Sequence, residues 1–264
     1  MRKYAYQVTE AEMYDLQKAD MWKRISAWLF DFILMVILVA GAAFLLSVIL
    51  NYDSISDELQ AIETRYEQKH NVSFDISSDE HDALNEDEKK LLDDAFAEFA
   101  KDKEAVRLYS LLLNLTLIIV TFAILIGYLL LELLVPLLFG NGQTLGKKIF
   151  GIGVMREDGV KLTPLLLFVR TVLGKYTVET MIPVMIAIMI VFRTIGTVGL
   201  LVLITLLGVQ VVLVCATRGR TPIHDKLAHT VTVDLSSQRI FDTPEELLEY
   251  KKKLHAQQTE QAKY

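Results

Sequence analysis

Four long stretches almost devoid of charge constrain this chain more than any other feature. From Ile25 to Leu50 run 26 residues in which Asp31 is the only ionisable group. At 1.5 Å per residue such a helix exceeds a hydrocarbon core of about 30 Å and crosses it with some tilt. A second stretch lies within Leu108–Phe139, with Glu132 as its only charge. A third, Tyr176–Phe192, spans 17 residues and holds Glu179 and Pro183; a fourth, Ile195–Thr217, has no ionisable side chain except Cys215. Only Arg193-Thr194 separates the last two, which fits a tight helical hairpin; the alternative is a bent or re-entrant pair. A soluble enzyme needs mixed amphipathic stripes rather than such runs, so that class is excluded. The single cysteine excludes a disulfide-stapled secreted domain. The first stretch is too long for a signal core, and 24 residues of mixed charge precede it.

The polar segments orient the spans. Residues 1–24 carry five basic side chains, with Lys18, Lys23 and Arg24 next to the first span. Residues 51–107 hold seven basic and 17 acidic side chains, a net of −10. Residues 140–175 reverse this, with six basic (Lys147, Lys148, Arg156, Lys161, Arg170, Lys175) and two acidic. The tail, 218–264, opens on Arg218, Arg220 and Lys226. Positive segments stay in the cytoplasm. Four crossings of a cell membrane are therefore expected, near 25–50, 108–139, 176–192 and 195–217, with both termini cytoplasmic and 51–107 outside. Trp22, Trp28 and Tyr176 fall near the inner boundaries, Tyr52 and Tyr109 near the outer ones. Arg193, at an outer turn, runs against the trend.

The acidic segment has its own periodicity. Ile55, Leu59, Ile62 and Tyr66 recur at helical spacing, and a second helix is predicted from near Ser78-Asp79, its apolar face running toward the second span. Together they read as an extracytoplasmic helical hairpin. Its carboxylates lack the ligand spacing and central glycine of a calcium-binding loop. In the second polar segment, Ile149–Met155 and Val160-Lys161-Leu162 flank Asp158-Gly159, a hairpin signal, and Val231–Leu235 adds a third strand. Thr163-Pro164 opens an interfacial helix that feeds the third span. Thr243-Pro244-Glu245-Glu246 starts a helix running to about Ala256, with a Lys251-Lys252-Lys253 run. The fold class is thus mainly α: a polytopic membrane helical bundle with four transmembrane helices, the hairpin and a small cytoplasmic β element.

Acidic side chains inside hydrocarbon are costly and tend to face protein or water. Asp31, Glu132 and Glu179 share a depth, all in the cytoplasmic half, with Arg24, Arg170 and Arg218 at neighbouring boundaries. One reading is a set of buried ion pairs that fix helix packing. The other is a site that binds or relays a cation or proton. The two are compatible.

These residues resemble a known family. Arg24-Ile25-Ser26-Ala27-Trp28-Leu29-Phe30-Asp31 is similar to the start of RDD family membrane domains. Gly142-Gln143-Thr144-Leu145-Gly146-Lys147-Lys148, Gly153-Val154, Asp158-Gly159 and Arg170 match the family's central stretch, and Arg220-Thr221-Pro222-Ile223-His224-Asp225-Lys226-Leu227-Ala228 its closing segment. The resemblance spans about residues 18–235. It implies a bacterial integral membrane domain assisting transport of small ions or ligands, with Arg24, Asp31 and Asp225 as key positions. The acidic segment departs from the compact family pattern.

Other motifs carry less. Gly142–Lys148 has three residues between its glycines rather than the four of a phosphate-binding loop, and lysine where Ser or Thr would hold magnesium. His224-Asp225 and His229 lack the further ligands of a metal site, so Asp225 is read as a boundary residue bonding Arg24. No metal, cofactor, catalytic residue or nucleic-acid partner is expected. The expected partners are the lipid bilayer and either a second copy or a membrane partner protein. The expected function is transport assistance through Arg24, Asp31, Glu132, Arg170, Glu179 and Asp225; the alternative is an adaptor that docks a partner through the acidic hairpin or the tail.

Overall fold

A computed structural model describes residues 18–191, 195–216 and 221–261. The expected turn at Arg193-Thr194, the end of the fourth span at Thr217, and Arg218 and Arg220 lie outside them. Among the described residues four helices are long and apolar enough to cross a membrane: Met21–Ile49, Lys103–Phe139, Pro164–Val191 and Gly196–Cys215. Apolar side chains such as Phe44, Val191, Val198 and Leu201 stand exposed on them. Helices apolar on all sides have lipid, not water, as their solvent. The chain is a polytopic, mainly α membrane protein.

In chain order the helices are α1 (Met21–Ile49), α2 (Tyr52–His70), α3 (Ser78–Ala83), α4 (Glu86–Phe99), α5 (Lys103–Tyr128), α6 (Val135–Phe139), α7 (Leu145–Ile149), α8 (Pro164–Phe168), α9 (Ile182–Val191), α10 (Gly196–Ala216), α11 (Ile223–Leu227) and α12 (Pro244–Gln261). Between α5 and α6 the second span winds as a π-helix over Leu129–Leu134, and the third does so between α8 and α9 over Val169–Met181. The chain forms two compact units, Val39–Ile124 and the remainder.

Within the acidic unit, Asn51 adopts a left-handed conformation (φ 53°) and separates α1 from α2. Leu59, Ile62, Ala105, Leu108 and Leu112 form its core, with Tyr52, Ile55, Tyr66 and Phe99 packed around them. Phe74 stacks on Phe96 at 4.2 Å between centroids. Glu98 pairs with both Lys69 and His70. The single helix expected after residue 78 is two helices. Ser77 and Glu80 make one capping box, and Asn85 and Glu88 make a second five residues after Glu80; the second box restarts the helix. Nor does α4 run on into the second span: the Asp102 carboxylate accepts from the Glu104 and Ala105 amides and begins α5 afresh.

In the other unit, β1 (Ile152–Arg156) pairs antiparallel with β2 (Thr230–Asp234), Val154 facing Thr232. Ala19 N–H donates to the Thr232 carbonyl and Lys18 bridges Val233, so the segment before α1 joins this sheet. Lys23 donates to Asp234 at 2.6 Å. The expected hairpin is only partly formed. Gly159 turns the chain (φ 91°), yet Val160 and Lys161 make isolated bridges rather than a strand. Thr163 caps α8 and Pro164 starts it, leaving too little chain for a second arm. Ile149 and Phe150, expected in the first strand, instead end α7, because Thr144 caps a helix there. The expected interfacial helix and third span are one continuous helix, Pro164–Val191.

Candidate functional site

A cavity of about 280 Å³ lies in the second unit, and Arg24, Asp31, Glu132, Arg170, Glu179 and Asp225 all border it. So do Lys147, Lys175 and His224.

Asp31 comes from α1 and is buried. Its carboxylate accepts from Thr144 Oγ1 at 2.5 Å and from the Gly146 amide at 2.8 Å. It thereby meets orphan N–H and O–H donors at the start of α7, where negative charge is favoured. This approach requires glycine at 146: a Cβ there would press into the Ala27 carbonyl oxygen and the Asp31 carboxylate. The glycine-rich motif is thus a turn and short helix built to receive Asp31.

Glu132 sits in the first π-helical stretch, also buried. Its Oε2 lies 2.6 Å from Lys175 Nζ and 3.8 Å from Lys147 Nζ. Thr171 Oγ1 donates to the Glu132 carbonyl, tying the two π-helical stretches together.

The second stretch places Arg170, Lys175 and Glu179 on one side. Arg170 and Glu179 are nine residues apart. At about 3.6 residues per turn they would stand on opposite faces. Bonding from i to i+5, as from Ile182 N–H to the Thr177 carbonyl, winds roughly 4.4 residues per turn and returns them to the same face.

Arg170 is 2% exposed and donates from Nε to Asp225 Oδ1 at 2.8 Å. Thr230 Oγ1 donates to the same oxygen. Arg170 Nη2 lies 3.1 Å from His224 Nε2, and His224 Nδ1 lies 2.7 Å from Glu179 Oε2. A guanidinium can only donate, so Nε2 accepts, the ring proton is on Nδ1, and His224 is neutral. Burial depresses the His224 proton affinity, in agreement with that tautomer. The Glu179 carboxylate also accepts from the His224 amide and from Gln210, whose own carbonyl accepts from Ile223 N–H. Here too a glycine sets the approach: a Cβ on Gly174 would lie 2.6 Å from His224 Cβ.

Among the described residues Asp225 bonds Arg170 and Thr230, where the sequence suggested Arg24. Burial pushes the Asp225 proton affinity up, but Arg170 beside it and the bond from Thr230 outweigh this and hold it below the usual carboxylate range. Lys147 is pushed the other way, down to about 7, by burial and by the nearby Lys175 and Arg170, with Glu132 and Asp31 opposing.

In the sequence Lys147 and Lys175 stand out only as orienting charges, and Thr144, Gly146, Thr230 and Gln210 carry no signal of a role in the site. A buried Glu132 needs a cation, which was the available signal for the two lysines. Among the described residues no three His, Cys, Asp or Glu side chains converge to hold a metal ion.

No curated protein and no solved structure matches the chain significantly. The sequence profile of the RDD family matches residues 18–229, which takes in the network from Asp31 to Asp225. The chain belongs to the RDD family.

Proposed function

We propose that this RDD family protein assists transport of a small ion or ligand across the cell membrane, with the cavity as the compartment that holds it. One observation carries the reading: a space of about 280 Å³ bordered by four carboxylates and four basic side chains, among helices otherwise apolar. Charges in a span are costly, and packing alone requires no room between them. The basic residues around the first and third spans support cytoplasmic termini. The shared sheet of residues 18–19, β1 and β2 supports placing the N-terminal segment, the second polar segment and the tail on one side. The test is flux in proteoliposomes carrying an internal pH dye, under imposed Na⁺, K⁺ or Cl⁻ gradients. The parent should conduct, and E132Q and D225N should lose about tenfold or more of the rate. A parent silent under every gradient overturns the proposal. Labelling of K148C in a C215S background from the cytoplasmic side tests the orientation.

A second reading, an adaptor, is favoured by one feature: the acidic unit has a core of its own beneath a strongly negative segment. Neutralising exposed Asp79, Asp82, Glu86, Asp87, Asp93 and Asp94 should then abolish co-purification of a basic membrane partner. Unchanged co-purification excludes this face as the dock.

A further inference from the structure

The hydrogen bonds of the cavity wall leave one bordering cation, Lys147, with a buried ammonium and no hydrogen-bonded acceptor. Asp31 is met by Thr144 and Gly146, and Glu179 by His224. Asp225 Oδ1 is met by Arg170 and Thr230; its Oδ2 makes no hydrogen bond, but the charge it shares is already balanced by Arg170. Glu132 Oε2, without a well-aligned hydrogen bond, still has Lys175 Nζ at 2.6 Å. Lys147 Nζ makes no hydrogen bond to any described residue, and its nearest carboxylate oxygen is that same Glu132 Oε2, 3.8 Å away. A metal or ammonium ion entering here meets carboxylates already engaged and three basic groups close by. A buried ammonium with its donors unmet is, by contrast, a standing demand for an acceptor.

The rest of the wall limits what can supply it. Met21, Ile25, Trp28 and Val214 form an apolar side that would cover a small hydrocarbon body. A 150 Å³ cavity holds benzene, so about 280 Å³ holds a solute of roughly ten non-hydrogen atoms, well short of a nucleotide. Lys147 supplies one positive charge without a hydrogen-bonded acceptor, which a single negative charge on the solute balances. Resting on the reading of this cavity as a ligand compartment, we infer that it binds a small organic monoanion, a carboxylate with a short apolar body, through Lys147 Nζ. The charges that act on Lys147 are those of Asp31 from α1, Glu132 from the second span, and Arg170 and Lys175 from the third. With its proton affinity near neutrality, Lys147 takes up a proton as the anion enters, so binding strengthens as pH falls from 8 to 6.

The test uses the full chain with W22F in nanodiscs, titrated with sodium benzoate, neutral benzyl alcohol and benzylammonium, and read by the fluorescence of the remaining Trp28, which borders the cavity. Benzoate should saturate, at least about tenfold tighter than either analogue of its size. K147M should weaken benzoate by a similar factor, and K148M, at the exposed neighbour, should not. If K147M fails to fold, the charge series on the parent decides. Benzylammonium binding as tightly as benzoate, no saturable benzoate binding, or an undiminished folded K147M would each overturn the inference. Benzoate binding without any flux upholds it while removing the transport proposal; cation flux without benzoate binding does the reverse.

Discussion

Replacing Arg170 by methionine keeps an unbranched side chain but removes the guanidinium from the centre of the network. Arg170 and Asp225 are 2% and 1% exposed, so bulk solvent does not reach the carboxylate left behind. Asp225 would retain the Thr230 hydroxyl, and His224 Nε2 would lose its donor. Breaking a buried pair from one side costs about 3–5 kcal/mol. At about 2–4 °C per kcal/mol for a chain of this size, the melting temperature should fall by about 6–20 °C, read by thermal unfolding in nanodiscs. The pH dependence is the sharper readout. In the parent, the Asp225 proton affinity lies below the usual carboxylate range, so the pair's contribution is complete above a pH of about 4 and constant from 8 to 5. Without Arg170, burial dominates and lifts that affinity above the unfolded value. The folded variant then binds a proton that the unfolded chain releases, and R170M regains stability as pH falls toward about 5. Adding D225N should remove both the pH dependence and part of the loss. An R170M variant melting within about 2 °C of the parent, or one that loses stability on acidification, would refute the claim that Arg170 neutralises Asp225.

Three further outcomes follow from the packing. G174A places a Cβ 2.6 Å from His224 Cβ and should cost about 1–3 kcal/mol, whereas G41A, with nothing within 4 Å, should be neutral or stabilising in the same melts. T144V removes the cap of α7 and one of the two donors to Asp31; a loss of about 1–3 kcal/mol, restored by T144S, is expected from thermal unfolding. L59A opens the core of the acidic unit. At about 2–5 kcal/mol it should raise hydrogen exchange in α2 and the first turns of α5 while leaving β1 and β2 protected.

The four apolar stretches were legible because a span is a local sum: enough consecutive apolar residues demand lipid whatever the rest of the chain does. So were the family resemblance, from short motifs in order, and the helical character of the acidic segment, from the spacing of Ile55, Leu59, Ile62 and Tyr66. The sequence also marked Asp31, Glu132, Glu179 and Asp225 as charges needing partners. Which partners they take was decided by tertiary structure alone. Asp31 reaches a hydroxyl 113 residues away, and Arg170 reaches Asp225 across 55 residues. Such pairings depend on how separate helices meet, which no local pattern encodes. The π-helical winding adds a second reason: it changes the angular phase along the third span, so residues that an α-helical reading puts on opposite faces point the same way. Lys147 and Lys175, mere orienting charges in the sequence, become ion-pair partners of Glu132 because that winding and the Thr144 cap turn them inward.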